Sequence, residues 1–314
     1  MINKTQLMRT KSLEEAINIV FNKTLTNRTH IFAQEAMIGR VATEYDYLGK
    51  IGRKETYKKI VEDFKRRTGC YGVNHPNTFM NVGSILDIGC GSGLLDLELA
   101  EQTNGNIIGL DLSEDMINLA KKNLKEQSQT EIKKIKEFWE KIPKELWEKI
   151  PKKYEPKQQE YEKLEQNPPL LDRIKFIRRS AYDLQNINLS NLNYIICRNA
   201  LHRFQYPERA LKQMYEIISP NGKIYIRDLK RDADWQVILE RIGEKRWNSR
   251  TLVKDYIGAM ASMFTITELE KKLHSLNITN FEITNGKYIT GEINSPRNIK
   301  EFEKDTEYVC VIKK

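Results

Sequence analysis

Residues 82–93 read Val-Gly-Ser-Ile-Leu-Asp-Ile-Gly-Cys-Gly-Ser-Gly, and this stretch decides the fold. Ile85, Leu86 and Ile88 around Asp87 form the short apolar run that a parallel strand buried on both faces presents. Gly89, Gly91 and Gly93 predict a turn free of side-chain obstruction, and Leu94 to Gln102 the helix that follows it. A second short strand, Asn106 to Leu110, ends at Asp111, 22 residues after Gly89. That spacing puts a glycine turn and a carboxylate at the carboxyl ends of two neighbouring strands. The backbone can approach a nucleotide-type ligand there, and the carboxylate can accept hydrogen bonds from both ribose hydroxyls.

The loop lacks the spacing of a dinucleotide fingerprint, which needs a third glycine where Leu94 stands. Its pattern is G-x-G-x-G. A ligand with ribose and adenine but no phosphate, such as S-adenosyl-L-methionine, requires no anion nest at a helix start. By itself, a glycine turn with a distant carboxylate fits more than one nucleotide-like ligand.

Later segments narrow the choice. Ile85 to Gly93 (ILDIGCGSG) resembles the first motif of the class I S-adenosylmethionine-dependent methyltransferases, and Gly109 to Ala120 (GLDLSEDMINLA) their second-strand signature. Cys197 to Phe204 (CRNALHRF) and Pro207 to Gly222 (PERALKQMYEIISPNG) are similar to the segment after the fourth strand in small-molecule members. Residues 223–228 (KIYIRD) match the fifth strand. The resemblance covers roughly residues 82–228, in order.

What it implies is a cofactor site holding S-adenosylmethionine and its product S-adenosylhomocysteine. Asp87, Gly89, Cys90, Gly91 and Gly93 would form the first-motif contacts, with Asp111 and Leu112 at the ribose and Met116 over adenine. Ser180, Ala181 and Tyr182 would surround the ring, Ala181 through its backbone N–H and Tyr182 by stacking, and Asn199 would follow the fourth strand. The sequence departs from the family pattern in three places. Ser180 stands where many relatives carry an acidic residue, Asn221 replaces a glycine that Asn can imitate in a left-handed backbone, and a long insertion precedes the third strand.

Length, charge and cysteines set outer bounds. A chain of 314 residues can bury a full core in one large or two modest domains, and 39% hydrophobic with 30% charged residues describes a globular protein. The four cysteines, Cys70, Cys90, Cys197 and Cys310, have no C-x-x-C spacing, which argues against a disulfide framework or zinc site and for a reducing compartment. Ala16 to Phe21 is too short for a signal or membrane segment. These features predict a cytoplasmic protein. Residues 1–80 hold 14 Lys and Arg against 8 Asp and Glu, most of the excess lying in Lys50 to Arg67. Such a patch suits nucleic acid, acidic lipid or an acidic substrate, or is merely a solvated helix face.

Helical periodicity marks residues 12–38, through Ala16, Ile17, Val20 and Phe21, and residues 54–67, through Ile60, Val61 and Phe64. We expect residues 1–80 to form a helical cap and residues 81–314 the methyltransferase-like domain. Tyr45 and Tyr47 in the cap are candidates for substrate contact or for packing against the sheet. A helix is expected at Ser113 to Leu124 with Ser113 as N-cap, and the third strand, Ile174 to Arg178, arrives only some fifty residues later. The intervening 127–170 holds ten lysines and nine acids and repeats Trp-Glu-Lys-Ile-Pro-Lys at 139–144 and 147–152. Its prolines predict short helical pieces, with Trp139, Ile142, Trp147 and Ile150 as apolar anchors of a lid or partner surface. Further helices are expected near 232–243 and 265–276, the latter opening with the capping box Thr265-Ile-Thr-Glu268. Phe281 to Thr284 and Tyr308 to Ile312 read as closing strands. The fold class is therefore α/β, a Rossmann-like seven-stranded, mostly parallel sheet with an antiparallel last strand, a helical N-terminal cap and a helical insertion.

Methyl transfer from a sulfonium is an in-line displacement that gains most from positioning, and needs a general base only when the nucleophile arrives protonated. His202 is the candidate base, with a loop hydrogen bond as its bland alternative. His30, His75 and His274 have no companions that would make a metal site. Three functions remain open: an enzyme methylating a small molecule or modified peptide at N, O or C; an RNA or protein methyltransferase using the basic N-terminal region; and a non-catalytic S-adenosylmethionine-binding scaffold.

Overall fold

Strands that carry apolar side chains on both faces need cover on both faces, and the chain supplies it with helices. The structure, a computed structural model, describes residues 35–52, 54–70, 83–103, 105–140, 172–185, 187, 192–233, 250–286 and 306–314, together with Arg9, Glu15 and Arg28. Within these, strands β1 (Ser84–Ile88), β2 (Asn106–Asp111), β3 (Ile174–Arg178), β4 (Leu192–Arg198), β5 (Lys223–Leu229), β6 (Phe281–Gly286) and β7 (Glu307–Lys313) form one sheet of order β3-β2-β1-β4-β5-β7-β6. β7 runs antiparallel between β5 and β6, and the remaining neighbouring pairs are parallel. All five β1 residues are buried. Ile85 joins a core with Ile107, Phe176, Ile196 and Tyr225, whereas Leu86 and Ile88 join one with Ile195, Cys197, Ile224 and Ile226. The period-two alternation thus splits one strand between two cores.

Helices α1 (Arg40–Gly52), α2 (Lys54–Thr68), α3 (Leu94–Gln102) and α4 (Glu114–Glu140) precede β3; α5 (Pro207–Ile217), α6 (Arg250–Met260) and α7 (Ile266–Ser275) come later. α2 packs Ile60, Val61 and Phe64 into the Ile85 core, as its periodicity predicts, and Phe64 meets Tyr194 and Tyr225 edge-on. α7 carries the expected capping box, with Thr265 and Glu268 each bonding the other's backbone N–H. Asn221 adopts φ +66°, the left-handed turn foreseen for it.

Three local expectations need correction. Ser113 caps α4 by accepting the Met116 N–H at 3.2 Å, but the helix runs 27 residues to Glu140 rather than ending at Leu124. No glycine or proline interrupts it, buried Ser128 continues the inward stripe below Leu124, and Lys122–Glu126 and Lys133–Glu137 pairs line its outer face. Residues 127–140 are therefore one continuous rod, not short pieces. Residues 35–39 form bends and a turn, so the helix expected over 12–38 does not include its last residues; Glu15 is helical, Ala16, Ile17, Val20 and Phe21 lie outside the described residues, and α1 passes through Gly49, where a Cβ would stand 2.6 Å from Leu94. The Trp139 side chain, Ile142, Trp147, Ile150, and residues 234–243 of another expected helix lie outside the described residues.

Candidate functional site

In the sheet order the chain direction of travel reverses between β1 and β4, so loops leaving their carboxyl ends part and open a crevice. A cavity occupies that crevice, with about 900 Å³ of empty space when the solvent at its open mouth is counted. Its floor is the turn after β1. Gly89 and Cys90 both donate to Leu110 O, at 2.8 and 2.9 Å, which lays the turn across the end of β2. Gly89 has φ +79° and a Cβ there would stand 2.4 Å from the Ala200 Cβ, so only glycine fits. Gly91, at φ +57°, has among the described residues only Tyr45 within 4 Å of such a Cβ, at 3.9 Å, and so leaves its surface to the cavity.

Asp111 closes the ribose side of the expected site. Its two carboxylate oxygens accept the Gly91 N–H at 3.0 Å and the Ser113 N–H at 2.8 Å. Burial pushes its carboxyl above the ordinary range, against the pull of these two backbone N–H groups. Leu112 and buried Met116 line the wall beside it, and Ser180 and Ala181 the loop after β3. Asn199 lines the opposite wall at φ +51°, its N–H bonded to Arg227 O at 2.9 Å and its Oδ1 buried without a partner among the described residues. Asp87 and Cys90 also line the cavity.

Four candidates lie elsewhere. Gly93 is the N-cap of α3 beneath the turn, where a Cβ would meet the Phe176 ring at 2.5 Å. Tyr182 turns its hydroxyl to Glu35 and its ring edge to Phe204 and Tyr206, so its present neighbours are a second layer of the rim. Tyr45 lines the cavity but Tyr47, two residues on, is 61% exposed. His202 is absent from the lining; it occupies the short 3₁₀ turn Leu201–Arg203, buried, with Nδ1 2.7 and 2.9 Å from the two oxygens of Asp228. The same carboxylate accepts the His202 N–H at 3.1 Å. Its neighbours Arg203 and Phe204 do line the cavity.

Several lining residues were not anticipated. Glu35 and Met37 come from the segment before α1, Tyr57 from α2, Arg179 and Arg198 from the ends of β3 and β4, and Arg203 from the turn Leu201–Arg203. Arg198 and Arg203 stand inside the quoted CRNALHRF stretch, flanking the residues that were picked. Arg203 pairs with Asp255 of α6 at 2.8 Å, whereas Arg198 lies 5.7 Å over the Tyr57 ring with its Nε buried and without a partner among the described residues. The basic stretch is partly neutralised: Lys50 pairs with Asp46 and Glu126, and Arg66 and Arg67 with Asp63. No cluster of metal-binding side chains and no helix long and apolar enough to cross a membrane occurs among the described residues.

The arrangement fits S-adenosylmethionine on its own evidence: an uncovered Gly91 surface, a carboxylate presented beside it, and an apolar wall at Met116 and Ala181. A glycine turn, a carboxylate on the adjoining strand and an open crevice at β1 and β4 define a nucleoside-binding methyltransferase-type site. Residues 39–283 match the family model of the methyltransferase domain, and the chain belongs to that family, the class I enzymes that transfer methyl groups from S-adenosylmethionine. Among curated proteins, the demethylmenaquinone methyltransferase of Lactococcus lactis subsp. lactis (strain IL1403) is 30% identical over 115 residues, 36% of this chain and 41% of that protein. The demethylmenaquinone methyltransferase of Lactobacillus johnsonii is 30% identical over 116 residues, 35% of this chain and 42% of its own. The chain thus spans about two fifths of the length of the curated relatives it matches. Among solved structures, the plantazolicin methyltransferase BamL, held with a triazolic desmethylPZN analog and SAH, aligns with a TM-score of 0.54 at 14% identity over 100% of this chain and 99% of that one. The plantazolicin methyltransferase BpumL with SAH gives 0.53 at 18% identity, over 88% and 89%. At such identities the likeness is one of fold.

Proposed function

We propose that the chain transfers a methyl group from S-adenosylmethionine to a small molecule or modified peptide, leaving S-adenosylhomocysteine. The observation that carries this reading is the Asp111 carboxylate, anchored by Gly91 and Ser113 N–H groups on one wall of the cavity that Gly91 floors. In this reading Asp111 and Leu112 hold the ribose, Met116, Ser180 and Ala181 enclose adenine, with Tyr182 behind them. Asp87, Gly89, Cys90, Gly91 and Asn199 surround the amino-acid end, and Gly93 sets the entry to α3. Tyr45 faces the acceptor, and we keep Tyr47 as an acceptor contact only if the cap moves. The bound cofactor supplies an electrophilic methyl carbon; what the protein adds is alignment and exclusion of water.

His202 is the group we propose to take the acceptor's proton, on condition that the Leu201–Arg203 turn shifts to bring its buried ring to the cavity that Arg203 and Phe204 already line. With Nδ1 facing both oxygens of Asp228, the ring proton belongs on Nδ1, and Nε2 keeps the lone pair that a base needs. This favours an acceptor that arrives protonated, such as a hydroxyl. The 127–170 segment, entered by the long α4 rod, is proposed as a helical insertion bordering the site, and residues 1–80 as its cap. A cytoplasmic location suits the four buried, unpaired cysteines.

Calorimetry with S-adenosylhomocysteine tests the site. Charged hydrogen bonds are worth about 1.5–3 kcal/mol, so Asp111→Ala should weaken binding at least about tenfold, and unchanged affinity would remove the ribose assignment. A labelled-methyl screen on host extract then looks for the acceptor. On whatever it labels, His202→Ala should lower turnover by about 10²–10⁴ with cofactor affinity intact; a loss below about fivefold returns His202 to a structural role. Labelling of RNA, weakening steeply with salt, would favour the nucleic-acid alternative.

A further inference from the structure

Asp96 lies in the first turn of α3 with a fully buried side chain, and neither carboxyl oxygen has a donor among the described residues. Its carboxyl group lies against the side chain of Asp87, at the end of β1, near enough for a hydrogen bond once one of the two is protonated. Asp87 is itself 2% exposed, lines the cavity, and has one oxygen without a donor. Two carboxylates cannot share a buried hydrogen bond unless one of them carries a proton. A buried charge with no compensating donor is also too costly to persist, and Asp96 has none.

We propose that Asp96 is a positioning residue of the cofactor site: a neutral carboxylic acid that donates to Asp87, holds it at the cavity wall, and makes capture of a cationic amino-acid group by Asp87 a proton-releasing event. This rests on the S-adenosylmethionine reading given above. The charged and titratable groups facing the pair are Asp111 from β2, Arg198 and the Cys197 thiol from β4, and the Cys90 thiol from the intervening turn. Burial and Asp111 push the Asp87 carboxyl up, to about 7, while the Asp96 hydrogen bond and Arg198 pull it down; burial and Asp87 push Asp96 well above the carboxylate range. Near neutral pH Asp87 is then part protonated in the free protein, and an ammonium group drawn against it expels that proton.

The test is calorimetry of the full chain with S-adenosylhomocysteine and with 5′-methylthioadenosine, which has the adenosine but no amino-acid end. Each is titrated at pH 6, 7 and 8 in buffers of different ionisation enthalpy. S-adenosylhomocysteine should bind about tenfold more tightly at pH 8 than at pH 6, releasing about one proton at pH 6 and almost none at pH 8. Methylthioadenosine should show neither effect. Asp96→Leu, which fills the space without donating, should weaken S-adenosylhomocysteine about fivefold at pH 7 and spare methylthioadenosine, and Asp96→Asn, which keeps a donor, should restore it. Affinity and proton count that stay flat for S-adenosylhomocysteine from pH 6 to 8 would overturn the inference. So would a folded Asp96→Leu protein with the parent profile. Equal pH dependence for both ligands would move the linkage to Asp111 and overturn it too. Should Asp96→Leu fail to fold, the proton count of the unaltered protein still decides. If neither ligand binds at any pH, the cofactor reading itself fails, and this inference with it.

Discussion

At the floor of the cavity the contacts that fix the site are mostly made by the backbone. Leu110 O takes two N–H groups from the glycine turn, Asp111 O takes the Arg179 N–H, and Arg227 O the Asn199 N–H. Across the cavity, side chains hold the described residues before β1, which we propose as the cap. Glu35 accepts from the Tyr182 hydroxyl and the Gln205 N–H, Ser113 Oγ bonds Met37 O, and Asp115 accepts the Gly39 N–H. Asn123 reaches Asp46, and Arg28 donates to Ser262 O and Phe204 O. Deeper down, Arg227 of β5 sits between Glu307 of β7 and Asp63 of α2, which also accepts from the Tyr225 hydroxyl. A backbone floor survives many side-chain changes. A cap hung on single side chains can be loosened one contact at a time, which suits the part of a site that must admit and release ligands.

Substitutions can break or sharpen that contrast. The largest effect belongs to Arg227→Met, which leaves Glu307 buried without its cation and takes one of three cationic partners from Asp63. It should cost about 3–5 kcal/mol in denaturant unfolding, and a loss under about 1 kcal/mol would deny that this junction ties cap to sheet. Glu35→Ala should cost about 1–3 kcal/mol of cap closure, seen as roughly tenfold faster release of S-adenosylhomocysteine with the melting temperature nearly unmoved; a large drop in melting temperature instead would make the strap part of the core. On the floor, the Asp87–Asp96 pair carries a cost that grows with alkalinity. Carboxyls whose folded pKa exceeds the unfolded value cost stability progressively as pH rises from the unfolded pKa through the folded one. Asp96→Asn should therefore flatten the decline in stability between pH 5 and pH 8 by about 1–2 kcal/mol, and an unchanged slope would contradict the shared proton. The smallest effect should be that of Tyr47→Ala, within about 0.5 kcal/mol in stability and silent in cofactor affinity.

The same contrast explains what could be read from sequence. β3 matches its expected span, β1, β2 and β5 to β7 extend theirs by one or two residues, and α7 keeps its capping box, because buried strands and caps are written in contiguous residues. The cap is written in pairs far apart, such as Asp46 with Asn123 or Asp63 with Arg227, and no periodicity announces them. Sequence alone does not separate Tyr45 from Tyr47; helix α1 does. Two residues apart on a helix turns a side chain by about 200°, so one tyrosine faces the cavity and the other solvent. Asp228 was legible only as the end of a strand, since its bond to His202 spans 26 residues. Asp96 had the look of an ordinary acid in a helix's first turn until its burial was known.

The position of β7 bears on how the molecule is made. β6 precedes it in the chain, yet β7 fills the slot between β5 and β6. During synthesis that slot stays open until residues 307–313 emerge, and the apolar β5, with Tyr225 and Ile226, waits with one edge unpaired. Glu307 arrives with the same strand, so Asp63 on the early-made α2 meets the full Arg227 junction only after some 240 further residues. Pairings of that sequence separation close slowly. A nascent chain stalled before residue 307 would hold an exposed strand edge and a cap not yet tied down, a species in which edge-to-edge association competes with folding.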